Sequence, residues 1–423
     1  MPTRDRPPAQ GGPAPGSPVV ARGSRGSWAG NQNSAGHLLW LVRTGRARTR
    51  SELQACTGLS RSTLVARIDA LRAAGYLRRS GVEESTGGRP AELLEFDTDH
   101  GVVLVADLGA NHARAAVLDV GGTLLREEHE HIKIGSGPSY VLDWVDAAFG
   151  RLLAASGQAR ERVRGIGVGV PGPVEYDAGV VTEPPIMPGW DGVPIADRLR
   201  ATWGCPVFVD NDANLMALGE QAAFYPDCPA LLLVKVATGI GAGIVVDGRV
   251  YRGIDGGAGD IGHIRLAGFP EARCECGLYG CLSAVASGLA LAQRLTVGGT
   301  PTQSGPELVE RIRVGHGEAV HLAREAGRLV GEVLATVVCL VNPEVLVIAG
   351  DLAETNFVTG VRETLYTYAL PRATRHLEVT TSRLGPQSAV TGAHAMVVEE
   401  IYSPHAVDAE LAAAPASDLS RSR

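Results

Sequence analysis

The sequence predicts an α/β protein in which a small winged helix-turn-helix precedes a larger domain of alternating strands and helices. Three observations carry this prediction. Residues 1–90 hold 14 Arg and no Lys against 5 acidic residues, a net of +9, whereas the remainder carries −16, so a basic module is joined to an acidic body. Between Asn33 and Gly75, three short amphipathic patterns are separated by capping residues and followed by a Gly-rich hairpin pattern. From Val102 onward, apolar runs of strand length alternate with helical patterns.

Residues 1–30, rich in Pro, Gly, Ser and Arg, lack apolar periodicity and are expected to be a disordered basic tail. A winged helix-turn-helix is expected over 31–97. Its first helix spans Asn33 to Thr44; Thr49 with Glu52 makes a capping box for the second, which stops at Gly58. Ser60 caps the third, where Leu64, Ile68 and Leu71 share one face, and Leu53, Cys56 and Leu59 are expected to complete the core. Arg61, Ser62, Thr63 and Arg67 would then point outward where a recognition helix meets base edges and phosphate. Two strands follow around a Gly-rich turn, with Arg89 between Gly88 and Pro90 at the tip of the wing, suited to a narrow minor groove. The same unit could also mediate protein contacts; together, the charge balance and the wing favour double-stranded DNA as its partner.

The larger domain is expected over 98–403. Val102–Asp107 and Ala113–Leu118 read as strands, joined through Gly109. A helix near 139–155, a strand at 165–174 and a helix at 194–202 follow. An apolar strand then ends at Asn211-Asp212, where a new helix opens. Thr238, Gly239, Gly241 and Gly243 form a Gly-rich hairpin whose bare amides can approach phosphate oxygens. Helices are expected at SAVASGLALAQRL and HLAREAGRLVGEVLATVVCLVN, with a strand ending at Gly350. Residues 404–423, polar and Ala-rich, are expected to be a disordered tail.

His263, Cys274, Cys276 and Cys281 form a His-x10-Cys-x-Cys-x4-Cys array, a donor set that suits tetrahedral Zn2+. Four donors close the shell, which argues for a structural ion; the alternative is a set of unrelated buried thiols. The other cysteines are scattered, so reduced thiols are the default. With no apolar run long enough to span a bilayer and no apolar signal core at the start, a cytoplasmic protein is expected.

Gly259-Asp260-Ile261-Gly262-His263, followed by the cysteine run, resembles the signature of the ROK family of sugar kinases and sugar-responsive repressors. Ser-Arg-Ser-Thr and Gly-Gly-Arg-Pro resemble the winged helix of its repressors. The resemblance implies a two-lobed actin/hexokinase-like domain. It also implies that Asn211, Asp212, Asp260 and His263 contact a sugar, and that Asp212 is the general base of any kinase. Asp107, Gly109, Thr238, Gly239, Gly241 and Gly350 would line a nucleotide site. Four positions depart from the kinase pattern. Asp260 stands for Glu, Ser283 for a sugar-binding Glu, Asn111 for Thr, and Ala349-Gly350 for two glycines. The implied function is a sugar-sensing transcriptional repressor, a homodimer or homotetramer with structural zinc. The alternatives are an ATP- and Mg2+-dependent sugar kinase retaining a DNA-binding head, and a repressor controlled by a protein partner.

Overall fold

The computed structural model describes residues 31–82 and 92–413. At the N-terminus, helices α1 (Ala35–Arg43), α2 (Arg50–Thr57) and α3 (Arg61–Ala73) precede an antiparallel pair, β1 (Leu77–Val82) and β2 (Glu92–Phe96). The capping box forms as its spacing requires: Thr49 Oγ1 accepts from the Glu52 amide at 3.2 Å, and the Glu52 carboxylate accepts from the Thr49 amide at 2.9 Å. Gly58 ends α2 at φ +67, a left-handed conformation that glycine adopts without strain. Leu38, Leu39, Leu53, Leu64, Ile68 and Leu71 are buried between the three helices. Cys56, expected in this core, is exposed, because it sits on the solvent side of α2 while Leu53 alone on that helix turns inward. Arg89 and the wing tip lie outside the described residues.

The body is built from two halves of like topology. The first comprises β3 (Val102–Leu108), β4 (Ala113–Asp119), β5 (Leu124–Glu130), α4 (Pro138–Ser156), β6 (Val163–Val170), a small hairpin of β7 (Val174–Glu175) and β8 (Val180–Val181), α5 (Ile195–Trp203), β9 (Val207–Asn211) and α6 (Asp212–Phe224). The strand expected over 165–174 stops at Val170 because Gly172-Pro173 turns the chain. The second half comprises β10 (Ala230–Val236), β11 (Ile240–Val246), β12 (Arg249–Val250), α7 (Leu282–Ala286), α8 (Gly288–Val297), α9 (Gly305–Arg313), α10 (Gly317–Val341), β13 (Val345–Ala349), α11 (Thr355–Tyr368), α12 (Pro371–Thr374), β14 (Glu378–Thr381) and α13 (Ser388–Ile401). The single helix expected at SAVASGLALAQRL is two, because Ser287 adopts extended backbone and its hydroxyl caps α8.

The sheets run β5-β4-β3-β6-β9 and β12-β11-β10-β13-β14, each with three antiparallel strands followed by two parallel additions. Helices α6 and α13 end their respective halves and cross each other through glycine. A Cβ on Gly219 would meet the Ser388 carbonyl oxygen at 2.2 Å, and one on Gly392 would meet that of Leu215 at 1.8 Å. Each helix also lies on the opposite half's sheet, with Gly243 of β11 against Ala213 and Gly167 of β6 against Ala393. Glu220 ties the two ends together. Its carboxylate, buried in α6, accepts from Ser382 Oγ and from the amides of Arg383 and Leu384 at 3.0 Å each.

Residues 404–413, expected in a disordered tail, form helix α14 (Pro404–Ala413) against α1. Val407 is fully buried there, Asp408 accepts from the Gly36 amide at 2.8 Å, and Glu410 accepts from the Tyr76 hydroxyl at 2.6 Å. The segment has little amphipathic pattern of its own, so this docking holds it.

Candidate functional site

The cysteine loop follows β12 and has no counterpart in the first half. His263 ends a short turn over Ile261–His263; Cys274 and Cys276 sit on a hairpin that returns to Cys281, the residue before α7. Gly277 and Gly280 adopt φ +83 and +80, which lets the hairpin fold back on itself. The four donor atoms lie within 4.8 Å of one another. Cys276 Sγ is 3.7 Å from Cys281 Sγ, and Cys274 Sγ is 3.7 Å from His263 Nδ1. Tetrahedral Zn2+ with Zn–S bonds of about 2.3 Å sets its sulfurs roughly 3.8 Å apart, so the array fits the ion. Burial pushes the Cys281 thiol up to about 12, and also raises Cys274. A cation bound there would take these sulfurs as thiolates and release their protons.

The cysteine loop is joined to the body through β11. The Ala242 amide donates to the Gly259 carbonyl at 2.9 Å, and a Cβ on Gly262 would meet the Ile240 carbonyl oxygen at 2.1 Å. Because β11 also packs on Ala213, this brings Asp260 and His263 to the strand that carries the first turn of α6. Asp260 is exposed and His263 half-buried, while Ser283 lies against Gly262.

Asn211 caps α6, accepting from the Ala213 amide at 2.9 Å, and donates through Nδ2 to the Gly172 carbonyl at 3.0 Å. Asp212, the next residue, is buried. Its Oδ2 accepts from Lys235 Nζ of β10, an ion pair that joins the end of the first half to the middle strand of the second. Burial pushes the Asp212 carboxyl up, while Lys235 pulls it back. Burial opposes the Lys235 ammonium, but Asp212, Asp107 and Asp351 hold it above the usual lysine value. Asp107 is buried near the end of β3, with Oδ2 3.5 Å from His112 Nε2. Gly109 admits that imidazole, since a Cβ there would meet it at 2.1 Å. Beneath the cleft, Asp210 accepts from Arg252 Nε and Asn214 Nδ2 at 2.8 and 2.9 Å, and the Arg252 guanidinium lies 3.6 Å from the centre of the Tyr176 ring.

Thr238 and Gly239 form the turn between β10 and β11, Gly241 lies beside Ala213, and Gly350 ends β13 at φ +91, with its Cα against the Val236 backbone. Gly241 pairs with Lys235, and Gly350 follows Ala349, the other partner of Lys235, so these glycines share the sheet end that holds Lys235. In the head, Arg61 and Ser62 are exposed at the start of α3, and Arg67 is half-buried. Thr63 is half-buried, with its hydroxyl 2.8 Å from Ser60 Oγ in the helix cap.

The sequence reading missed Lys235, Arg252, Asp210 and His112. A signal for Lys235 was present. It is one of only two lysines in the chain and interrupts the apolar strand LLLVKV.

The ROK family model matches residues 103–400. The chain belongs to the ROK family. Among its curated ROK-type relatives, a putative xylose repressor of Caldicellulosiruptor sp. (strain Rt8B.4) is 31% identical over 389 residues, covering 86% of this chain and 95% of that protein. The crystal structure of a ROK family transcriptional regulator, a homologue of the E. coli MLC protein, superposes with a TM-score of 0.76 at 26% identity. It covers 89% of this chain and 98% of that one. A ROK hexokinase from Thermus thermophilus superposes with a TM-score of 0.60 at 32% identity, covering 71% of this chain and 99% of that one. The regulator's match therefore takes in more of this chain than the kinase's. No helix among the described residues is long and apolar enough to cross a membrane.

Proposed function

We infer that the chain is a sugar-responsive transcriptional repressor of the ROK type, which binds a double-stranded DNA operator through its head and a sugar through its kinase-like body. The observation that carries this reading is the junction of a winged helix-turn-helix to a complete ROK body in one chain. The repressor relative matches 86% of the chain, whereas the hexokinase, with 99% of its own length used, matches 71%. In this reading Arg61, Ser62, Thr63 and Arg67 of α3, with Arg89 of the wing, contact the operator, a palindrome bound by a dimer. Thr63 acts from within the helix cap, so Arg61 and Arg67 supply the reach.

The effector is a neutral aldose, and D-xylose is the first to test, since the 31%-identical relative is named for xylose. Asn211, Asp212, Asp260 and His263 form its contacts. Zn2+ held by His263, Cys274, Cys276 and Cys281 fixes the loop that carries the last two of the sugar contacts; when bound, the ion supplies structure only, because four protein donors leave it no open position. His263 holds the metal or the sugar with different ring nitrogens.

Phosphoryl transfer is expected to be negligible. It depends on the placement of a free base against the sugar hydroxyl, and here Asp212 is paired with Lys235 while Asn111, Asp260 and Ser283 depart from the kinase pattern. The test combines operator binding with and without D-xylose, D-glucose and N-acetyl-D-glucosamine, and a coupled assay with ATP and Mg2+. A sugar-dependent change in operator affinity supports the repressor. Turnover near 1 per second or faster, lost in Asp212→Ala, would instead identify a kinase that carries a DNA-binding head.

A further inference from the structure

Asp107 and Lys235 occupy equivalent places. Each is the sixth of seven residues in the central strand of its sheet, β3 and β10, each strand lying between an antiparallel neighbour and a parallel one. Where one half places a carboxylate, the other places an ammonium. Asp212 lies in the electrostatic field of both and is bonded to the ammonium.

We propose that Lys235 is a positioning and specificity-determining residue of the effector cleft: by pairing with Asp212 it keeps that carboxylate an acceptor for a sugar hydroxyl and withdraws it from service as a base. The proposal rests on the reading of the cleft as the effector site. The geometry supports it in three ways. The Lys235 side chain is 21% exposed and that of Asp212 7%, so the pair is enclosed but open on one side. An ammonium has three donors, of which Asp212 Oδ2 takes one, leaving donors for a ligand oxygen. A neutral pair then offers acceptor and donor side by side, which matches two adjacent hydroxyls of an aldose.

Without Lys235 the balance changes. The groups facing Asp212 would be Asp107, whose charge opposes ionisation, and His112, which favours it, and burial already pushes the Asp212 carboxyl up. The carboxyl would then be held further above its ordinary value, and once protonated it loses its strength as an acceptor. A lost hydrogen bond to a charged group corresponds to a weakening of about tenfold or more.

The test is calorimetric titration of the full-length protein with D-xylose, D-glucose and N-acetyl-D-glucosamine across a pH series over which the protein stays folded. Wild type is expected to bind one of these with affinity that is flat across the range. Lys235→Met is expected to bind about tenfold more weakly at the acid end and to recover toward the alkaline end, with Lys235→Arg retaining the flat profile. Should Lys235→Met fail to fold, Asp212→Asn/Lys235→Met, which buries no lone charge, is expected to bind weakly at every pH. Wild-type affinity with an unchanged profile in Lys235→Met, or wild-type affinity in the double variant, overturns the proposal. A wild-type protein that binds none of the sugars overturns the effector-site reading itself, and the proposal with it.

Discussion

The two halves of the body share a topology and differ in what they insert into it. In the first, the connection from β5 to α4 is short, running from His131 to Gly137, and contains only the turn Ile134–Ser136. In the second, the stretch between β12 and α10 runs from Tyr251 to His316 and carries the cysteine loop and three helices. The strand ends differ too. After β9 the chain enters α6 at once through Asn211-Asp212, whereas after β14 it makes a turn whose amides are taken by Glu220. One half therefore presents a carboxylate to the cleft where the other presents a closed turn. The shared topology supplies the frame, and the halves differ in the insertions and charges they place on it.

The largest effect is expected from removing the insertion's anchor. Cys276→Ala should reduce bound zinc to well under one per chain by metal analysis, lower the thermal midpoint, and abolish the sugar response. Operator binding by the head should be measurable at low temperature. Full zinc content in that variant would show that the loop's four donors are not the site.

Next is the crossing that joins the halves. Gly392→Val places side-chain atoms against the Leu215 carbonyl oxygen, which a Cβ would already meet at 1.8 Å, so a loss of about 3 kcal/mol or more is expected in denaturant unfolding. An unchanged midpoint would mean that α6 and α13 part more easily than their packing implies.

Operator contacts come third. Arg61→Ala and Arg67→Ala should each cost about 1–3 kcal/mol if they read bases; uniform weakening on every sequence with a shallower salt dependence would assign them to phosphate. Titration against altered sites separates the two.

The smallest effect is in pH. His100 links head and body, with its ring nitrogens 2.8 Å from the Tyr402 hydroxyl and 3.1 Å from Arg164. Burial, with help from Arg164, lowers its pKa from 6.5 to about 4, although Glu410 and Asp97 favour the proton. The folded value lies below the unfolded one, so the contribution is fully present above pH 6.5 and is lost as pH falls toward 4. Unfolding measured across that window should show stability declining with acid, and His100→Gln should flatten part of the slope.

The sequence by itself determined the helix starts in the head and the grouping of one histidine with three cysteines, and it located the main apolar strands without their order in the sheets. Capping at Thr49 and Ser60, the unbroken apolar runs of the central strands and the spacing of His263, Cys274, Cys276 and Cys281 are local properties, written in residues near one another in the chain. Residues 404–413 became a helix only because α1 and Tyr76 give them a surface, and Cys56 left the core because α2 turned it to solvent. The glycines at 219 and 392, 173 positions apart, had no visible purpose until two helices crossed there. Lys235 stood out in an apolar strand, yet its partner at Asp212 was decided by the approach of one sheet to the end of another. Local signals survive in sequence because backbone and side chain meet within a turn. A buried charge finds its counterpart through packing across the whole fold, and that pairing is settled only when desolvation makes every alternative more costly.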